Sequence, residues 1–347
     1  MRILASLLAA MGVLLAQEGA PRPAAPVTLD MTNLSAVVSV LREHYVEPSA
    51  LADRQVNAAA VRGVLNHLGA GAKIVEAKPA RKTITPEIAK TEMLGDDILY
   101  IRLGRLSKDT AAALDGEMKA RPRDKLHGII LDLRFVGGGD FADAAQVAGR
   151  FLAKGAKLFV LAGPTRPPRT FTASFDNPCT DTPLIVVVNR ETFGSAEALA
   201  ATLSHHQRAA VVGNTTAGEA CERAELPLSD GRKLALAVSQ IVLPDGRKIF
   251  PRGVEPDVPV KLDLEKERKL VLGPDAQKNL RASLEPKVSR RRVNEAELVR
   301  VFGPDDNKSA PASEEEPHTG NIKVEQPADV VLTRALDILK GLRALRR

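Results

Sequence analysis

The sequence predicts an α/β fold with a layered core, because a buried strand followed by a sharp turn and a helix occurs twice. The continuous apolar runs 128–133 and 184–188 are typical of strands covered on both faces. A turn follows each run, and stretches of helical composition come next, at 141–152 and 194–203. A further buried strand is predicted at 209–212. Strands that alternate with helices in this way indicate a sheet with helices packed against it.

The composition is that of a globular chain whose core is aliphatic. The chain has 347 residues, of which 3% are aromatic and none is Trp. This length accommodates one large domain or two ordinary ones. The net charge is +6, and the excess is concentrated in basic stretches at 290–292 and 343–347 that carry no interleaved aromatic residues. We therefore expect these stretches to be solvated surface, with no nucleic-acid partner.

The first sixteen residues have the features of an export signal. Arg2 supplies the positive charge, 3–15 is a short apolar run, and Ala16 is a suitable residue before a cleavage site. The run is short for a membrane span. We therefore expect an exported protein, periplasmic or extracellular, with no span after cleavage. An uncleaved membrane anchor is the alternative.

The remaining chain divides by composition into five segments. The predicted segments are a flexible Pro/Ala-rich N-terminus at 17–32, a helical hairpin at 33–72, an α/β core at 73–262, a charged and partly disordered stretch at 263–328, and an amphipathic helix at 329–347. Within the core, further strands are predicted at 98–103, 158–161, 225–228, 233–238 and 240–243, and a helix at 109–120. The turn pairs

Two cysteines flank the central stretch 184–223. Cys179 precedes its first strand and Cys221 follows its last loop. In an oxidising compartment they could form a disulfide that ties the loop to the start of the strand. Two separate thiols are the alternative, and the residues leave both open. Two cysteines without a histidine spacing predict no metal site, and no motif indicates a cofactor.

Five segments, taken in order, carry a resemblance to a known family. They are HYVEP with RGVLNHLG (44–69), GIILDLRFVGGG (128–139), the stretch 183–218 around TFGSAEAL, LPDGRKIFPRGVEPDVPV (243–260) and DVVLTRALDIL (329–339). Together they resemble the carboxy-terminal processing peptidases, the tail-specific proteases of serine peptidase family S41. Members commonly carry a PDZ domain after the helical segment. Here the interval 68–97 is shorter than an ordinary domain, so no PDZ domain is expected.

The resemblance implies a crotonase/Clp-type core with flanking β segments and a Ser–Lys dyad for peptide-bond hydrolysis. A neutral lysine amine would take the serine proton, and backbone amides near a glycine turn would form an oxyanion hole. Gly138 and Gly139 match that turn, with Gly137 where a proline usually stands.

The dyad positions themselves depart from the family pattern. The position of the nucleophile falls on Gly194, and the position of the lysine falls on Glu219. Arg223 occupies the position of a glutamine that often assists the dyad. A glycine supplies no nucleophile, and a carboxylate does not replace a neutral amine without other partners.

Ser195, one residue past the nucleophile position, is the remaining candidate catalytic residue. It would attack only if the turn were shifted by one residue, which rotates a side chain by about 100° on a helix. Its alternative role is to help cap the helix. His205 and His206 lie about 15 Å along the same helix and are not expected to act as its base. Glu219 as a general base remains chemically open.

Two functions therefore remain. The chain is either an exported S41-type serine peptidase homologue with an altered dyad or an inactive relative that binds a peptide or protein. Ser195→Ala separates them, because it abolishes hydrolysis only in the first case. A dinucleotide site at 137–139 is disfavoured, since the spacing is not G-x-G-x-x-G. The sequence predicts no oligomeric state.

Overall fold

A computed structural model gives the architecture of most of the chain. It describes residues 33–76, 85–121, 126–176, 178–274, 280–284, 287–289, 323–325 and 329–345. The predicted signal at 1–16, the predicted flexible segment at 17–32 and much of the stretch 263–328 lie outside the described residues. Among those described, no helix has the length and apolarity needed to cross a membrane.

The chain divides into two compact units, residues 1–67 and 68–347. The first unit contains helix α1 (Leu34–His44) and helix α2 (Asp53–Leu68, which ends one residue past the boundary). Asn33 caps α1 by accepting a hydrogen bond from the Ala36 amide. Arg42 donates to the Leu51 carbonyl oxygen and so ties α1 to the connection before α2.

The second unit contains the remaining helices and all the described strands. Its helices are α3 (Thr110–Lys119), α4 (Phe141–Ala148), α5 (Ser195–His205), α6 (Leu264–Leu272), α7 (Leu280–Leu284) and α8 (Val330–Leu345). Its strands are β1 (Ala72–Val75), β2 (Ile88–Leu94), β3 (Ile98–Leu103), β4 (Gly128–Asp132), β5 (Lys157–Ala162), β6 (Arg169–Thr172), β7 (Leu184–Val188), β8 (Ala209–Gly213), β9 (Cys221–Pro227), β10 (Lys233–Val242), β11 (Val258–Pro259), β12 (Lys287–Ser289) and β13 (Lys323–Glu325).

The main sheet has six strands in the order β11-β8-β7-β4-β3-β2. All its neighbours are parallel except β2, which pairs antiparallel with β3. Side chains alternate across a strand, so Ile129 and Leu131 face one layer and Ile130 faces the other. The first face packs on α3, α4 and α5, and the second is covered by α8. Burial of both faces explains why β4 and β7 are continuous apolar runs.

The second sheet contains β9, β10, β1, β5 and β6, with β10 paired to β1, β5 and β9. The sequence predicts two short strands in 233–243, whereas β10 is a single strand with an irregularity between Ala237 and Ser239. The polar residues around this irregularity break the apolar pattern without ending the backbone pairing. The stretch 166–178, predicted to be a loop, contains the short strand β6.

A buried group of charges joins the main sheet to the C-terminal helices. Arg134 follows β4, is 1% exposed, and contacts Asp132 (2.7 Å), Asp329 (2.9 Å) and Glu267 (3.4 Å). Asp329 lies directly before α8, and Glu267 lies on α6. Burial would raise the pKa of Asp132, but the charge and hydrogen bonds of Arg134 outweigh it and lower that pKa. The cluster holds α6 and α8 behind the glycine turn, although α6 falls within the segment predicted to be charged and partly disordered.

Candidate functional site

The candidate site is a cavity of about 590 Å³ beside the turns that follow β4 and β7. These turns lie at the carboxyl ends of parallel strands, where α/β folds commonly bind ligands. On one side, the cavity is lined by the glycine turn and the start of α5. On the other, it is lined by charged side chains from β1, β9 and the loop before β6. The residues around it are Lys73, Gly138, Gly139, Asp140, Phe141, Arg166, Phe193, Gly194, Ser195, Glu219, Cys221, Glu222 and Arg223.

Gly194 occupies a sharp strand-to-helix turn directly before α5. Its backbone has φ +63° and ψ −122°, a conformation that L-residues adopt only under strain. A Cβ added there would lie 3.5 Å from the Gly138 nitrogen and 3.8 Å from the Gly138 Cα, which are ordinary contact distances. Strained turns of this kind present a nucleophile in other hydrolases. At this position the chain has the geometry for a nucleophile's side chain, and space for it, but no side chain.

The glycine turn 137–139 approaches α5 closely. Gly138 and Gly139 have φ +72° and +76°, a region that favours glycine. A Cβ on Gly139 would lie 2.6 Å from the Leu106 carbonyl oxygen, so a side chain would not fit without movement of the backbone. Among the hydrogen bonds of the described residues, none is donated by the amides of Gly138 or Ser195. Both amides belong to residues that line the cavity.

Ser195 is the first residue of α5 and is 1% exposed. Its hydroxyl donates a hydrogen bond to the Gly138 carbonyl oxygen, so it fastens the helix to the glycine turn. The helix-capping role predicted for Ser195 is filled differently, because the residue at the cap position is Gly194. The hydroxyl therefore has a buried acceptor instead of a base that would remove its proton.

Glu197 connects the turns on either side of the cavity. Its fully buried carboxylate accepts hydrogen bonds from the amides of Gly194 (3.0 Å), Gly218 (2.6 Å) and Glu219 (2.7 Å) and from the Thr216 hydroxyl. Burial raises the pKa of Glu197, while the four hydrogen bonds act in the opposite direction. Glu197 therefore fixes the loop that carries Glu219 to the start of α5.

Glu219 lies between two cations. Lys73 Nζ is 3.6 Å and Arg223 Nη2 is 3.2 Å from Glu219 Oε2. Lys73 pairs with Ala235 across β1 and β10, and Arg223 pairs with Ala237 across β9 and β10. Because side chains alternate along a strand, this register brings Lys73 and Arg223 to the same face of the second sheet.

The guanidinium of Arg223 has unused hydrogen-bonding capacity. Both terminal nitrogens are buried and donate no hydrogen bond to a described residue, because the contact with Glu219 lacks the required angle. A second carboxylate, Glu222, lies within ion-pair distance of Arg166 (3.5 Å) and also contacts Arg169. Asp140 lines the cavity too, and it accepts a hydrogen bond from the Ala142 amide at the start of α4. Cationic side chains therefore outnumber carboxylates among the described residues of this cluster.

The two cysteines are separate, buried thiols, so the predicted disulfide is absent from the structure. Cys179 follows the loop after β6, where its amide donates to the Arg150 carbonyl oxygen and its own carbonyl oxygen accepts from Arg208. Cys221 begins β9 beside the cavity, and burial raises the pKa of its thiol. The raised pKa keeps the Cys221 thiol protonated and makes it a poor nucleophile.

The two histidines at the far end of α5 face other partners. His206 Nε2 lies 2.9 Å from the Lys157 carbonyl oxygen, and His205 contacts Asp245 and Arg247. Neither is among the residues that line the cavity. The expectation that they do not serve Ser195 as a base agrees with this placement.

Comparison with known proteins identifies the class as peptidases. The family model described as peptidase family S41 matches residues 97–260. Three of the five segments that carried the resemblance fall within this match. Residues 97–260 therefore belong to peptidase family S41, as the resemblance predicted.

Individual relatives agree with this assignment. A carboxy-terminal-processing protease of Bartonella bacilliformis is 29% identical over 201 residues, covering 57% of this chain and 46% of that protein. A chloroplastic C-terminal processing peptidase of Tetradesmus obliquus is 32% identical over 179 residues, covering 52% and 37%. The chain thus matches less than half the length of either curated relative.

A solved structure supports the fold. A candidate peptidase from Parabacteroides merdae has a TM-score of 0.52 and 15% identity, covering 74% of this chain and 89% of that chain. At this identity the likeness concerns the fold alone. The predicted fold class, an α/β layered core of the S41 and Clp-like kind, is confirmed.

Several residues of the cavity were not predicted from the sequence. Lys73 and Arg166 lie far from the motif stretches, and only the pairing of the second sheet brings them to the site. Glu197 was placed in the first turn of α5 but not recognised as the acceptor for four donors. Its position three residues after Gly194 is that of a capping-box glutamate, which is the feature that could have revealed it.

Proposed function

We propose that this chain is an S41-family protein that binds a peptide or a protein segment at the former catalytic site and does not cleave it. The observation that carries the proposal is Gly194. It has the backbone of a nucleophile turn, and the missing side chain would face the Gly138 amide. Without a hydroxyl at that point no acyl-enzyme can form there, however well the rest of the site is preserved.

The surroundings of position 219 support the same proposal. A catalytic lysine must be neutral to act as a base, and desolvation or neighbouring cations achieve this. Here Glu219 is a carboxylate placed between Lys73 and Arg223. Two opposite charges favour the ionised carboxylate, which accepts ion pairs and does not reproduce the role of an amine.

The cavity and its glycine turn are the part of the site that binding requires. We propose that Gly138 and Gly139 form the remnant of an oxyanion hole, in which unpaired amides present donors to a peptide carbonyl or carboxylate oxygen. Phe141 and Phe193 at the rim supply apolar contacts for side chains of the ligand. Concave sites with a few converging polar groups are typical of ligand binding.

Ser195 as a displaced nucleophile is the catalytic alternative, and it makes a separate demand. Labelling with a fluorophosphonate probe and a casein cleavage assay should be run in parallel on the unmodified protein and Ser195→Ala. The proposal predicts neither labelling nor cleavage in either protein. Labelling or cleavage that disappears in Ser195→Ala would establish an enzyme and contradict the proposal.

Export is proposed as well, on the basis of Arg2 and the apolar run 3–15. Expression with the native N-terminus, followed by mass measurement of the protein outside the cytoplasm, tests it. A mature mass that begins after Ala16 is expected. Retention of the whole chain inside the cell would contradict export.

A further inference from the structure

The cavity carries more positive than negative side chains. Glu219 is shared by Lys73 and Arg223, and Glu222 is shared by Arg166 and Arg169. In addition to these two carboxylates, Asp140 lines the cavity. Four cations thus face three carboxylates among the described residues of the cluster, so the site has one positive charge in excess. An anionic ligand is favoured over a neutral or cationic one.

Arg223 is the group with donors to spare. Both of its terminal nitrogens are buried without a hydrogen bond to a described residue, and leaving buried donors unpaired is costly. A guanidinium presents parallel N–H groups that match the two oxygens of a carboxylate. An incoming carboxylate would therefore satisfy donors that Glu219, at its present angle, does not.

The opposite wall of the cavity offers donors of a second kind. The Gly138 amide lies 3.5 Å from the point where a Cβ on Gly194 would stand, and nothing else in the structure lies closer to that point. The space that a nucleophile's side chain would fill is thus open towards the amide. A carboxylate oxygen placed there would accept from the Gly138 amide, at the position where an acyl oxygen lies during hydrolysis.

We propose that the cavity binds the C-terminal carboxylate of a peptide, with one oxygen at the glycine-turn amides and the other directed to Arg223. The inference rests on the proposed peptide-binding function and names its ligand. A free C-terminus is the group that a cleaved acyl segment would present at this point. The chain therefore captures the chemical form of a proteolytic product instead of making one.

The test uses fluorescently labelled peptide pools of one length with randomised C-terminal residues. One pool has a free C-terminal carboxylate, one has a C-terminal amide, and one has a C-terminal amide with Asp and Glu enriched near the end. Binding is measured by fluorescence polarisation on the full-length protein. We expect the free-carboxylate pool to bind at least about tenfold more tightly than either amidated pool.

Variants assign the effect to Arg223. Arg223→Gln should remove the preference for the free carboxylate, and Arg223→Lys should retain part of it, because a lysine lacks the fork geometry. Arg247→Gln is the matched control, since Arg247 is 62% exposed, pairs with Asp245 and does not line the cavity. It should leave the preference unchanged. The comparison of pools on the unmodified protein does not depend on the folding of any variant.

The outcomes separate this inference from the function on which it rests. Equal binding of the free and amidated pools would overturn the carboxylate inference and leave peptide binding standing. Tighter binding of the amidated acidic pool would assign the site to side-chain carboxylates and overturn the C-terminal assignment. A preference that persists in Arg223→Gln would overturn the role of Arg223. Failure of all three pools to bind would contradict the peptide-binding function itself.

Discussion

Gly194→Ala tests whether the turn before α5 is an open position for a side chain. The conformation at φ +63° costs a non-glycine residue about 1–3 kcal/mol. No steric cost should be added, because the nearest atom to the new Cβ is 3.5 Å away. We therefore expect Gly194→Ala to lower the free energy of unfolding by about 1–3 kcal/mol, and the protein to remain folded, since domains have about 5–15 kcal/mol of stability.

Two other glycines supply the controls. Gly231 has φ +82° with no atom within 4 Å, so Gly231→Ala measures backbone strain alone. Gly139 has φ +76° and a Cβ position 2.6 Å from the Leu106 carbonyl oxygen. Its replacement by alanine adds overpacking of about 1–3 kcal/mol to the same backbone strain. The expected order of destabilisation is Gly231→Ala similar to Gly194→Ala, with Gly139→Ala clearly larger.

The assay is urea unfolding followed by far-ultraviolet circular dichroism, because the chain has no Trp to report by fluorescence. Midpoints and slopes should be compared at constant protein concentration. If Gly194→Ala destabilises the protein as much as Gly139→Ala, the position is not open. The reasoning that identifies it as a vacated nucleophile position would then be refuted.

Four further predictions concern the groups around the site. Arg134→Met should cost about 3–5 kcal/mol by urea unfolding, because it leaves several buried carboxylates unpaired; a loss below about 1 kcal/mol would contradict the packing described. Glu197→Gln should destabilise the protein by about 1–3 kcal/mol, since an amide nitrogen would face backbone donors, and hydrogen exchange should rise at the amides of 218 and 219. The stabilising effect of Asp132, whose pKa is lowered in the folded state, is present above its ordinary pKa of 3.8 and is lost as the pH falls through the lower folded value. The cost of Asp132→Asn should therefore shrink in urea titrations as the pH falls from about 7 to about 4, and a cost that grew would contradict the sign. Gly194→Ser combined with Glu219→Lys should introduce fluorophosphonate labelling, because Lys73 and Arg223 would lower the pKa of the introduced amine; the single variants are the controls, and equal labelling of Gly194→Ser alone would show that the lysine position is not needed.

The sequence predicted the main sheet well because its strands are buried on both faces. The run 184–188 coincides with β7, and 128–133 and 209–212 differ from β4 and β8 by one residue. Element ends were less accurate. The helix predicted to reach 152 ends at Ala148, where the chain leaves the helical path at Gly149 although the following residues remain apolar.

The charged wall of the cavity could not be predicted in the same way. Lys73 and Arg223 are distant in sequence, and only the shared pairing of β1 and β9 with β10 brings them beside Glu219. The partner of Ser195 also depends on tertiary structure, because the Gly138 carbonyl oxygen belongs to a different turn. The motif residues Gly138, Gly194 and Glu219 were predictable, whereas their electrostatic surroundings required the register of a second sheet.

The central claim is tested most directly by measuring binding and cleavage in the same samples. Labelled peptide pools that span the free and amidated C-termini should be equilibrated with the full-length protein, and the peptides should then be recovered for mass spectrometry. The account predicts that peptide binds and is recovered at its original mass. Recovery of shortened peptides, in amounts that rise with incubation time and with protein concentration, would contradict it.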